Sequence, residues 1–361
     1  MQARVPHAPG AASGYADGGE LLSGLGALGK RYAQRRRSPL VAITVALVLL
    51  VVGLSYATSS FMSLQNWRDI LNQGSVIGVP AIGGTGVILL GEIDLSTGAV
   101  VGLTGMAAGV LLEHVHSAVL ALVVALATGL VIGVFNGFAV AYLRLNSFIV
   151  TLSAFYMASG LLLYISQGNT LTDLSGSVTW LGSASVDGFA AGTIMMLVFF
   201  LLGSVVLRRT VFGRHVYAIG GNREAARLSG IPVPLVIFTT FVVAGLLSAA
   251  GGLIVAGQID AAAPTAGGSQ VVLEVIAAVI IGGTSLSGGR GGLVGTLVGV
   301  LFIEIINDGL TLLNVSPFLV ELVEGALIFG AIVVDLWYGR RRRRRRALAA
   351  ASGSDLAAPA L

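Results

Sequence analysis

The chain of 361 residues is 55% hydrophobic and 11% charged, with a mean hydropathy of +0.91, more apolar surface than a soluble core can hide. Cysteine is absent, which excludes a disulfide framework, a thiolate nucleophile and a cysteine metal site, and the four histidines form no metal-ligating pattern. The net charge of +4 matters through where the cations lie, and it implies no nucleic-acid partner.

Residues 1–38 are expected to form a basic cytoplasmic tail, rich in Ala and Gly and disordered over most of its length. Gly24 to Lys30 matches a dinucleotide-type glycine pattern and most of a phosphate-binding loop. No strand precedes it, and Arg31 stands where Ser or Thr would hold magnesium, so neither match is accepted. Residues 39–338 read as a transmembrane domain. Apolar stretches at 39–58, 74–90, 98–112, 118–143, 148–165, 188–207, 234–255, 271–282, 291–306 and 318–338 give about ten spans. With the N-terminus inside, 20 of the 21 Lys and Arg residues fall in cytoplasmic segments and only Arg68 falls outside, while Asp69, Asp173, Asp187 and Asp260 lie opposite. The expected fold is therefore an all-α polytopic membrane protein with both termini cytoplasmic. The Arg-rich tail 339–361 serves as a topology anchor against anionic membrane lipid.

Some spans look broken. The stretch 74–90 is short and carries Pro80 with Gly78, Gly83, Gly84 and Gly86, and it runs into Gly91-Glu92-Ile93-Asp94-Leu95-Ser96-Thr97-Gly98. The frame Gly-(x)3-Leu-Ser-x-Gly recurs at Gly282 to Gly289, again between short apolar segments. Paired glycine-interrupted segments are the expected sign of broken helices at a transport path. Glu92 and Asp94 are candidates for a membrane-depth site, where a charge costs about 2.5–3.5 kcal/mol on insertion scales. Alternatively, Asp94 or Ser96 simply caps the following helix. Gly129, Gly133 and Gly137, and likewise Gly291, Gly295 and Gly299, share helix faces suited to close packing.

The longest polar interruption is the loop 208–234, with Arg208, Arg209, Arg214, Arg223 and Arg227. Within it Asn222 to Leu228 reads as a short helix: Asn222 at the N-cap, Glu224 in the first turn, Gly230 as the stop. Ala225 and Ala226 offer a small-residue face. The segment reads either as a docking element or as a basic loop that only fixes topology.

These residues together resemble the permease subunits of bacterial ATP-binding-cassette importers for monosaccharides, a ribose/xylose/galactose group within the branched-chain-amino-acid-type permeases. The likeness spans roughly Trp67 to Asp335. It rests on the Gly91–Gly98 motif, Ser147-Phe148-Ile149-Val150-Thr151-Leu152, the run Thr210 to Ile231, the run Ile276 to Gly291, and Asn307-Asp308-Gly309-Leu310. The resemblance implies a homodimeric pore in the bacterial inner membrane, a separate cytoplasmic ATPase and an extracytoplasmic sugar-binding protein, with no catalysis, cofactor or metal in this chain. It further implies that Glu224, Ala225 and Ala226, with Gly213, Asn222 and Gly230, form the helix that couples to the ATPase. Glu92, Asp94, Ser96, Asn146 and Phe148 are the residues expected along the substrate path. Two positions depart from the family pattern: Glu92 stands where glycine is usual, and Asn146-Ser147 where a Pro pair or Pro-Ser is usual. The competing reading is an ion-coupled secondary carrier acting without an ATPase, with Glu274, Glu304, Glu321 and Glu324 as its carboxylates.

Overall fold

A computed structural model describes residues 39–172, 174, 185–186, 188–316, 318–330 and 333. The expected tails 1–38 and 339–361, Asp173, Asp187 and most of 331–338 lie outside the described residues. The chain divides into a leading unit, residues 1–42, of which only the first turn of a helix is described, and a main unit from Ile43 to Leu361.

The elements are overwhelmingly helical. They are α1 (Pro39–Ala57), α2 (Leu64–Leu89), α3 (Thr97–His114), α4 (Ala118–Ala141) and α5 (Ser147–Ser166). After them come α6 (Ala191–Arg209), α7 (Val211–Gly221), α8 (Arg223–Leu228), α9 (Val233–Ile259), α10 (Ser269–Ile281) and α11 (Leu293–Leu312). Residues 318–330 are helical as well. Among the described residues, six helices are long and apolar enough to cross a membrane: α3, α4, α5, α6, α9 and α11. Among the described residues, every stretch expected to span coincides with a helix. Two-residue strands decorate the end remote from α7 and α8: β1 (Leu171–Thr172), β2 (Ser185–Val186), β3 (Phe189–Ala190) and β4 (Ala261–Ala262), paired antiparallel as β1–β4 and β2–β3.

Short polar side chains start several of the helices by accepting from the free first-turn N–H groups. Ser63 accepts from Asn66, Ser117 from Leu120, Asn146 from Phe148 and Thr210 from Gly213. Thr210 also closes α6, so α6 and α7 meet at a corner one residue wide. Gly213 belongs to that corner, because a Cβ there would meet the Leu207 carbonyl.

The centre of the bundle is α9, which packs on α2, α3 and α4. Lipid is as apolar as leucine, so helix association must come from close backbone approach rather than from hydrophobic burial. The contacts follow that rule. Gly129 and Gly245 face one another, and Cβ atoms built at Gly133 and Gly137 would lie 2.8 Å from the Phe241 carbonyl and 2.9 Å from the Phe238 carbonyl. Gly252 sits against Thr104 and the Val101 carbonyl of α3, and Gly83 of α2 against Ala244. The second expected stripe is only partly a stripe. Gly299 packs on the Ala278 carbonyl and the Gly295 carbonyl meets Gly282, but Gly291 lies in a loop at φ +128°.

Two expectations need correction. The span at 74–90 is neither short nor broken: α2 runs 26 residues from Leu64, straight through Pro80. Its polar start at Asn66, Arg68 and Asp69 hides it from a hydropathy reading. Its glycines are contact points rather than breaks, with Gly78 on Met196, Gly84 on Val275 and Gly86 on Thr240. Gly251 of α9 lies against both the Pro80 ring and the Val76 carbonyl, the helical acceptor that the proline nitrogen cannot serve. The second correction concerns 211–221, expected as loop, which forms α7.

Candidate functional site

Three backbone segments converge at one end of the bundle: the exit of α2, the α7–α8 junction and the glycine loop after α10. Gly289 N–H donates to the Leu89 carbonyl at 2.8 Å. A Cβ at Gly220 would collide with that same carbonyl, and one at Gly288 would lie 2.9 Å from Gly91 N. Gly91, Gly288 and Gly289 adopt φ of +78°, +77° and +69°, a region only glycine enters without strain. The two Gly-(x)3-Leu-Ser-x-Gly frames seen in the sequence are therefore neighbours in space. Tyr217 of α7 adds a tie by donating its hydroxyl to the Gly291 carbonyl at 3.0 Å.

Helix α8 sits on this junction. Asn222 Oδ1 accepts from Ala225 N–H at 3.0 Å, which makes it the expected N-cap, and Gly230 takes φ +79° at the exit. Glu224 and Arg227 pair across the exposed face at 2.6 Å. The hydrogen bond from Arg227 holds the Glu224 carboxyl below its ordinary value. The small-residue face divides. Ala225 is exposed, whereas Ala226 is 4% exposed and joins the apolar core with Val216, Ile219 and Val233. Ala226 seats α8 on its own chain, and Ala225 is the small residue left on the exposed face.

The five path candidates do not gather round one cavity. Asp94 and Ser96 are buried together: Asp94 Oδ1 accepts from Ser96 N–H at 2.8 Å and from Ser96 Oγ at 2.6 Å. Asp94 thus closes a local turn before α3, whereas Ser96, at the N-cap, makes no side-chain capping bond to the helix. Ser96 Oγ in turn accepts from Asn136 Nδ2 at 2.8 Å. Asn136 is 2% exposed, and its Oδ1 has no hydrogen-bond partner. Asn146 caps α5 from an exposed position and Phe148 is 48% exposed, so both face outward from this junction. Glu92 points elsewhere again, with its Oε1 3.0 Å from Arg223 Nη1 at the head of α8.

Sequence reasoning missed the partners that hold the 91–96 loop. Ser147 Oγ accepts from Ile93 N–H at 3.2 Å, and Thr151 Oγ1 accepts from Leu95 N–H at 3.0 Å. Both residues lie in the quoted Ser147–Leu152 motif. Buried hydroxyls at spacing four, on one face of a helix start, were the available signal. The carboxylates weighed for ion coupling sit elsewhere. Glu304 is buried on α11 against Gly74 of α2, and Glu274, Asn307 and Glu324 line a cleft beside it.

The family model of the branched-chain amino acid transport system permease component matches residues 66–332. The chain is 41% identical over 294 residues to the ribose import permease protein RbsC of Bacillus subtilis (strain 168), covering 81% of this chain and 91% of that protein. It is 37% identical over 295 residues to the ribose import permease protein of Escherichia coli (strain K12), covering 81% and 92%. With the xylose transport system permease protein XylH of Haemophilus influenzae (strain Rd) it shares 32% identity over 354 residues, covering 81% and 94%. No solved structure matches the chain.

Proposed function

The chain belongs to the branched-chain amino acid transport system permease component family, and on that premise we propose that it is the membrane subunit of an ATP-binding-cassette importer for a pentose, ribose first. It is a multi-pass membrane protein, and its part in the cycle is conduction rather than chemistry. ATP is hydrolysed in a separate cytoplasmic subunit, an extracytoplasmic binding protein delivers the sugar, and a second copy of the chain completes the pore.

One observation carries the reading beyond family likeness. Helix α8 is short, capped at Asn222 and exposed on its Glu224–Ala225 side, yet it is anchored by Ala226 to the bundle core. Six residues cannot hold a helix alone in water. A small helix fixed from behind and bare in front is suited to receive force from another subunit and pass it to α7 and α9. The face that carries it is assigned to the cytoplasm, with ten spans and both termini inside, because that arrangement gathers 20 of the 21 cationic residues on one side.

Two experiments test this. Expressed with its ATPase and binding protein in cells that lack ribose import, the chain should restore growth on limiting ribose. Failure on ribose with growth on xylose or arabinose changes the sugar, and failure on all three removes the importer reading. Single cysteines, introduced into a cysteine-free chain, should be labelled from outside at position 187 and from inside at position 223. Labelling of position 187 from the cytoplasm alone would sink the ten-span topology.

A further inference from the structure

We propose that the Glu92–Arg223 ion pair is the strap by which α8 draws on the α2–α3 loop, which makes Glu92 a positioning residue for transport. This rests on the reading of α8 as the helix that meets the ATPase. Position 92, where the resemblance calls for glycine, carries a carboxylate whose side chain is 12% exposed, reaching a guanidinium that is 53% exposed. Arg223 is the first residue of α8, directly after its cap. Among the described residues this pair is the only charged or hydrogen-bonded link between α8 and the 91–96 loop.

The contact between α7 and the exit of α2 is of a different kind. Gly220 rests against the Leu89 carbonyl and Gly289 N, backbone on backbone. Such a contact transmits a push but offers no resistance when the segments separate. An ion pair resists separation, so movement of α8 in either direction reaches Glu92. From there the loop has fixed onward partners. Ile93 and Leu95 N–H groups are bonded to Ser147 and Thr151 of α5, and Ser96, held by Asp94, is bonded to Asn136 of α4. One displaced residue therefore acts on the start of α3 and on two neighbouring helices. Coupling through a chain of discrete contacts is the physical requirement for one site to act on another.

The test uses the whole chain with its ATPase and binding protein in lipid vesicles, reading sugar moved per ATP hydrolysed. Glu92→Gln and Arg223→Gln should each lower that ratio about five-fold, the most that a pair of this exposure sustains. Membrane abundance and ATPase co-purification of Glu92→Gln should match the wild type. The double variant should be no worse than either single one, because both remove the same contact. A wild-type ratio in Glu92→Gln overturns the strap, as do independent losses that multiply to about twenty-five-fold in the double variant. Loss of ATPase co-purification in Glu92→Gln overturns it too, since the pair would then serve assembly. If the unaltered chain moves no sugar with its ATPase present, the reading of α8 has failed and the strap falls with it.

Discussion

Close contact between α4 and α9 carries the bundle, and Gly129→Ala measures how close it is. An alanine Cβ at position 129 meets the Gly245 carbonyl oxygen and lies 2.6 Å from the Ala249 Cβ. Unstrained carbon pairs sit at about 3.5–4.0 Å, so the helices would have to part by about 1 Å. Neither neighbour can move aside, because one is backbone and the other has no rotamer. Overpacking of this kind costs about 1–3 kcal/mol. Gly160→Ala is the matched control: it adds the same methyl within α5, where nothing lies within 4 Å. There the helix gains about 1 kcal/mol of propensity and loses no contact. Thermal denaturation of each purified variant in detergent, followed as loss of the folded peak on size exclusion, should move the midpoints in opposite directions. Equal shifts, or a stabilised Gly129→Ala, would refute the view that glycine contacts rather than general apolarity hold α4 to α9.

Three further outcomes follow from the junction. Asn222→Ala removes the cap of α8 at a cost of about 1 kcal/mol and should reduce ATPase co-purification, with Asn222→Asp restoring it; unchanged co-purification in the alanine variant would detach the cap from docking. Because its partner Arg227 depresses the Glu224 carboxyl, the pair's contribution is present above the ordinary value of 4.5 and lost as pH falls through the depressed one. Hydrogen-exchange protection of residues 223–228 should accordingly stay level above pH 4.5 and drop below it, and a loss centred near neutrality would show another group at work. Asp94→Asn keeps an Oδ1 acceptor for Ser96 and should fold and transport, whereas Asp94→Ala releases both Ser96 hydrogen bonds and should lose transport; an inactive, well-folded Asp94→Asn would show that the charge itself is needed.

Much of this architecture is legible in the residues, because spans in lipid are continuous apolar runs and each expected run is helical over its described residues. The glycine stripe Gly129–Gly137 announced a packing face for the same reason: small residues at spacing four have little other use on an apolar helix. What escaped was the role of glycine off such a stripe. Gly78, Gly83 and Gly84 looked like breaks in α2 because their partners Met196, Ala244 and Val275 are distant in sequence. Gly220 and Gly221 likewise made α7 look like loop, although Gly220 is required by the Leu89 carbonyl beside it. In the site, the cap at Asn222 and the turn at Gly230 follow local rules and could be read. The inward seat of Ala226 and the reach of Glu92 to Arg223 depend on how α8 lies on the bundle, which no local pattern encodes.

The central claim is that this chain moves sugar only when a partner subunit hydrolyses ATP. The chain, its ATPase and its binding protein should be placed in lipid vesicles with labelled ribose outside, and uptake followed with and without ATP at the ATPase. Accumulation that requires ATP, and that stops when the ATPase is omitted, is the expected result. Uptake by the chain alone, driven by a proton or sodium gradient, would contradict it and turn attention to Glu274, Glu304 and Glu324.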